Sequence, residues 1–167
     1  MVHSPDAFKG AGLLLVDIQQ RLAPAIPGAD HVIPRIAALL QEARRSKTPI
    51  LATEQYSRGL GHTVAELRDR LAPEDVFEKI HFAATREPAF RDALNRHGRQ
   101  RWIVAGMEAH VCVLQTVLGL LAAGVEVTLA GDAVGSRVDL NRRLALARMA
   151  RAGARISDTQ RILGATG

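Results

Sequence analysis

The sequence predicts a single α/β domain spanning residues 1–167, a three-layer αβα sandwich around a mostly parallel sheet of about six strands. Three observations predict it. Short apolar runs alternate with helix-period segments from end to end, a pattern that joins parallel strands through helical crossovers. The 167 residues suit one hydrophobic core and leave little room for a second. Apolar residues make up 47% and charged residues 23% of the chain, the balance of an ordinary globular protein. Aromatic residues are only 4%, so the core must be built from Leu, Ile, Val and Ala. The expected architecture is Rossmann-like.

The elements follow in order. Residues 12–18, GLLLVDI, form a continuous apolar run that suits a strand buried on both faces and carries Asp17 near its end. Residues 27–46 read as a helix, with Asp30 as its cap, Pro34 in its first turn, and Ile33, Ile36, Ala37, Leu40 and Ala43 along one face. Residues 49–53 are the second strand, and a polar loop follows over 54–62. Thr63 and Glu66 have the spacing of a capping box for a short helix. Residues 76–81 are the third strand. A helix over 87–97 is stopped by Gly98. The fourth strand is 101–107, and a helix over 109–123 ends at Gly124. The fifth strand is 125–130. Ser136 and Asp139 open a long helix that ends near Gly153. The sixth strand is 154–156, and Ser157 caps a last helix.

Net charge is +5 and the isoelectric point about 10.3, which raises the question of nucleic acid. The pattern argues against it. Lysine occurs only at 9, 47 and 79, and the denser arginine groups are Arg44 with Arg45, Arg99 with Arg101, and Arg142, Arg143, Arg148 and Arg151. These fall on polar faces or ends of expected helices, without the interleaved aromatics of a single-strand binder. A single cysteine excludes an intramolecular disulfide. Residues 1–10 lack the apolar run of a signal peptide, and no stretch reaches the ~20 apolar residues of a membrane span. The expectation is a cytoplasmic protein with no membrane partner.

In open parallel sheets, ligands bind beyond the carboxyl ends of the strands. That rule selects Asp17 at the end of the first strand, Lys79 at the end of the third, and Cys112 in the helical turn after the fourth. Each has a plain structural alternative. Asp17 can cap the segment that follows, Lys79 can snorkel from an edge strand, and a lone cysteine is usually a small buried apolar residue. Against these, a carboxylate closing the run LLLV needs a buried partner. A cysteine opening a helix near an ammonium is favoured as a thiolate, and the same free N–H groups can hold an oxyanion.

These residues lie in segments that resemble the isochorismatase-like, or cysteine hydrolase, superfamily. The segments are LLLVDIQQRL (13–22), TEQYSRGLGHTVAEL (53–67), EK (78–79), GMEAHVCVLQTVLGLL (106–121), DAVGSR (132–137) and LALARMARAGARISDT (144–159). The resemblance is greatest to the branch of small isochorismatase-domain proteins. It implies a catalytic triad of Asp17, Lys79 and Cys112, and a cis peptide between Met107 and Glu108. With Cys112, those two residues form the turn that holds the oxyanion. The resemblance also implies a small-molecule substrate and a homo-oligomer. Candidates for the substrate pocket are Gln20 and Leu22 after the first strand, Glu54, Gln55 and Tyr56 after the second, His81 and Phe82 after the third, and His110 in the nucleophile turn.

Three departures from the family pattern bear on activity. The Asp-x-His metal motif of nicotinamidases is replaced by Glu54-Gln55-Tyr56, with His62 further on, so neither a metal nor another cofactor is expected. Isochorismate cleavage does not need a thiol, which makes Cys112 an argument against that reaction. His81 stands where the branch more often has a small polar residue.

The resulting expectation is a hydrolase acting on a C–N, amide-like bond through a covalent thioester. The rival is a catalytically silent binding module on the same fold. A nucleotide-binding domain fits poorly, because the turn after the first strand has no glycine-rich phosphate cradle.

Overall fold

A computed structural model of the protein describes residues 6–164. Six strands, β1 (Ala11–Val16), β2 (Ile50–Gln55), β3 (Val76–Lys79), β4 (Arg101–Met107), β5 (Glu126–Gly135) and β6 (Arg155–Ser157), form one all-parallel sheet in the order β3-β2-β1-β4-β5-β6. The helices are α1 (Ala29–Arg45), α2 (Ser57–Leu60), α3 (Ala65–Arg68), α4 (Pro88–His97), α5 (Leu114–Ala122), α6 (Asp139–Ala152) and α7 (Thr159–Ile162). Among the described residues, no helix is long and apolar enough to cross a membrane.

Strand alternation divides the core in two. Leu13 and Leu15 of β1 pack with Val32, Ile36, Leu39 and Leu40 of α1, with Leu67 of α3 and Ile162 of α7 in the same cluster. Leu14 and Val16 face the other way, into a cluster with Phe90 of α4, Val117 and Leu120 of α5, and Met149 of α6. Both sheet faces are therefore covered, which is why β1 is buried at every position. The strand order reverses direction between β1 and β4, and that switch point is where the first and fourth strands open their carboxyl ends side by side.

Several local expectations are corrected. The α1 N-cap is Gly28, at φ 78°, and Asp30 lies inside the first turn without capping. Pro34 lies in the second turn, on the exposed side, where solvent can take the carbonyl that loses its partner. Thr63 does not cap α3, because its N–H and hydroxyl are both given to Glu54. The last helix is capped by Asp158 rather than Ser157, through the Arg161 N–H. β3 ends at Lys79, two residues earlier than expected, and the helix after β4 opens with a π-helical turn over Ala109–Val113.

β5 runs five residues past its expected end because it bulges. Val104 faces Leu129 while Gly106 faces Val134, so β5 advances five residues where β4 advances two. Asp132, in the bulge, accepts from Thr159 N–H (2.8 Å) and hydroxyl (2.7 Å) and lies 3.5 Å from Arg35 Nε, tying α7 and α1 to it. Beside the bulge, Gly106 has φ 135°, and a Cβ there would stand 2.1 Å from the Val16 carbonyl oxygen.

Candidate active site

β1 ends at Val16 and the chain turns at once, with Asp17 in the left-handed region at φ 52°. Aspartate is among the few residues that tolerate this conformation, and such positions concentrate at functional sites. Asp17 is fully buried. Its Oδ1 accepts from the Thr53 hydroxyl at 2.8 Å, and its Oδ2 lies 2.8 Å from Lys79 Nζ. Lys79 Nζ also donates to Gln55 Oε1 (2.5 Å), the Phe82 carbonyl (3.0 Å) and the His81 carbonyl (3.3 Å). A buried pair persists only when its remaining valences are met, and here the ammonium is surrounded by oxygens. Asp17 Oδ2 has no other partner among the described residues and falls short of hydrogen-bond geometry with the lysine, so it keeps room for a further proton donor.

Cys112 sits in the π-helical turn, 6% exposed, close enough for both Asp17 and Lys79 to act on its sulfur. Burial pushes the thiol up to about 12; the Asp17 carboxylate adds to this, and Lys79 only partly opposes it. These surroundings oppose the thiolate that the helix start and the nearby ammonium would favour. The ammonium charge is already matched by Asp17, so a second anion beside the pair would be uncompensated. Alkylation of Cys112 by iodoacetamide should accordingly be slow at pH 7 and climb about tenfold per pH unit, without a plateau by pH 10. A plateau below pH 8 would contradict the protonated thiol.

The Met107–Glu108 peptide bond is cis. Glu108 is buried, with its carboxylate accepting from Arg137 N–H (3.1 Å) and Arg137 Nε (2.9 Å), so it anchors the turn to the end of β5. His110 Nδ1 is 3.0 Å from the Ser136 hydroxyl.

Of the other pocket candidates, Gln55 holds Lys79, and Tyr56 and Phe82 are exposed on the loops after β2 and β3. His81 pairs with Glu87 at 2.9 Å. Gln20 and Glu54 serve the loop instead. Gln20 Oε1 accepts from His62 N–H, and Glu54 accepts from Thr63 N–H (2.5 Å), Thr63 hydroxyl (2.8 Å) and His62 Nδ1 (3.0 Å). Leu22 packs against the core.

Burial raises the Glu54 carboxyl, but the bonds from His62 and Thr63 outweigh it and hold it below its ordinary value. Glu54→Gln should therefore cost about 1–3 kcal/mol at pH 7. Because the folded-state value is depressed, the stabilisation is present above the ordinary value of 4.5 and lost as pH falls through the folded one. The gap between variant and parent in urea denaturation should narrow below pH 4.5.

Sequence reasoning missed three supports. Gln19, wholly buried, donates to the Gln55 and Gly61 carbonyls and accepts from Gln55 N–H, bracketing the loop after β2. Thr53 orients Asp17. One oxygen of Glu87 accepts from Ile80 N–H (2.9 Å) and His81 N–H (3.0 Å), shaping the chain that carries the two carbonyls on Lys79. A polar residue inside an apolar context was the only available signal, and it was present for Thr53 alone.

The Isochorismatase domain family profile matches residues 11–161. Isochorismatase domain-containing protein 1 of Salmo salar is 38% identical over 147 residues, 88% of this chain and 52% of the salmon protein, so the chain spans about half of that relative's length. Isochorismatase domain-containing protein 2 of Danio rerio is 36% identical over 156 residues, 93% of this chain and 78% of the relative. Among solved structures, the MAR1 ribonuclease of Caenorhabditis elegans superposes with a TM-score of 0.85 at 38% identity, over 92% of this chain and 80% of its own. The Pseudomonas aeruginosa protein YcaC, solved with covalent acrylamide, gives 0.87 at 27% identity, over 97% of this chain and 82% of its own. The Escherichia coli ycaC product, described as an octameric hydrolase of unknown specificity, gives 0.85 at 26%, over 95% and 79%. The sequence matches, with the six-stranded parallel sheet, lead to one assignment: this chain belongs to the isochorismatase family.

Proposed function

We propose that the protein is a cysteine hydrolase that cleaves a C–N, amide-like bond of a small molecule through Cys112, Asp17 and Lys79. The observation that carries this reading is the buried Asp17–Lys79 pair beside the buried Cys112 sulfur at the carboxyl edge of the sheet. Asp17 Oδ2 takes the thiol proton as the sulfur bonds to the carbonyl carbon, and Lys79 keeps the carboxylate placed. The N–H groups of Cys112 and of the Met107–Glu108 turn hold the oxyanion. Protonated Asp17 returns its proton to the leaving amine as the C–N bond breaks, which leaves a thioester. Asp17 then deprotonates a water that attacks the thioester. The acid departs and the proton returns to sulfur.

A resting thiol suits this scheme, because proton transfer and attack are coupled and the sulfur is spared adventitious alkylation and oxidation. The hydrolase description of the E. coli neighbour supports it. So does the covalent acrylamide of the P. aeruginosa one. The octameric E. coli neighbour, with the exposed Leu140 and Leu144 on α6, also supports a homo-oligomer, which light scattering would measure.

The test is a screen of neutral and charged amides and esters with the parent and Cys112→Ala. Hydrolysis should fall at least about 10³-fold in the variant. Full activity in Cys112→Ala would remove the mechanism, and silence of the parent across the screen would favour a binding role.

A further inference from the structure

We infer that this site takes an uncharged carbonyl substrate with an apolar acyl group. The inference rests on the proposed role of Cys112 and names the class of compound that reaches it. It follows from how the charges of this sheet edge are used. Lys79, the cation beside the sulfur, has three ammonium protons and four oxygen neighbours in Asp17, Gln55, His81 and Phe82. It has no valence left for a substrate carboxylate. Arg137 is bound to Glu108, and Arg21 donates to the carbonyls of Arg58 and Gly59. His62, His81 and His110 are engaged by Glu54, Glu87 and Ser136. Arg58 and Arg86 are exposed, and a solvated guanidinium adds little to the binding of a buried anion. Among the described residues, an anionic substrate would thus enter beside Asp17 with no cation placed to receive it.

The same segments offer apolar surface instead. Gln55 is the register partner of Lys79, and Tyr56 N–H donates to the Lys79 carbonyl, so Tyr56 and Ile80 leave their strands side by side. With Phe82 they are 56%, 73% and 50% exposed, three large apolar side chains on the stretch of chain that encloses Lys79. Most exposed hydrophobic residues need no explanation, but three on the two segments that hold Lys79 offer a surface that a ligand's apolar part would cover.

Because the chain has one cysteine, the test needs no known substrate. Cys112 is alkylated at pH 8.5 with iodoacetate, iodoacetamide and N-phenyl iodoacetamide, read by intact mass. Each rate is divided by that for the urea-unfolded chain at the same pH. The thiolate fraction then cancels between reagents. The folded protein should prefer the anilide over iodoacetate by at least about tenfold beyond the unfolded chain's ratio, in line with burial of an aromatic ring. Ile80→Ser with Phe82→Ala should reduce that preference, read as the ratio of the anilide rate to the iodoacetamide rate within each protein. Iodoacetate favoured equally or more, or no labelling by any reagent, would overturn the inference. These outcomes are independent of the Cys112→Ala activity test, so a failed selectivity and a failed mechanism are told apart.

Discussion

Lys79→Met should destabilise the protein by about 3–5 kcal/mol, the cost of leaving one member of a buried ion pair without its partner. The methionine fills most of the volume, so the loss is electrostatic. Asp17 stays fully buried with only the Thr53 hydroxyl to support its charge, and the carbonyls of His81 and Phe82 lose their donor. The double variant Asp17→Asn, Lys79→Met removes both charges and should recover part of that loss, measured by urea denaturation as a double-mutant cycle. Additive effects of the two single substitutions would contradict direct coupling. Both single variants should also lose hydrolysis. On the proposed mechanism, Lys79→Met removes the group that places the carboxylate, and Asp17→Asn removes the base.

Gly106→Ala should cost about 4 kcal/mol or more, at the extreme of single substitutions. Two effects combine. At φ 135° any side chain is strained, and the new Cβ would meet the Val16 oxygen at 2.1 Å and the Val16 nitrogen at 2.7 Å. These are backbone atoms of the central strand, and they cannot move without shifting Asp17. Gly153→Ala separates the two effects, because Gly153 has φ 115° with nothing within 4 Å of a Cβ. It should cost only the conformational part, about 1–3 kcal/mol. Equal denaturation midpoints for the two variants would show that the approach to Val16 is not the cause.

β1 and β4 were legible because each is a short apolar run between polar punctuation, and β4 falls on the residues expected of it. The helix caps were less legible, since a capping side chain competes with tertiary partners. Thr63 has the right spacing, yet Glu54, nine residues back, takes both its donors. Gln19 and Gln20 illustrate a subtler limit. Strand alternation cannot say which of two adjacent glutamines turns inward once the chain kinks at Asp17, and the inward one proved to be Gln19. The positions of Asp17, Lys79 and Cys112 were readable from the strand-end rule. The upward push on the thiol was not, because it comes first from burial of the sulfur, which only the packing sets.

The strand order has a consequence for folding. β1 is the first strand of the chain, yet it lies in the middle of the sheet, where Ala11 pairs with Arg101. A nascent chain that has reached Lys79 holds β1, β2 and β3 and both members of the ion pair, but one flank of β1 stays wet until β4 arrives. Such distant pairings are slow steps in chain assembly. The half that bears the carboxylate and the ammonium must therefore wait, aggregation-prone along its open edge, for the half that bears the sulfur.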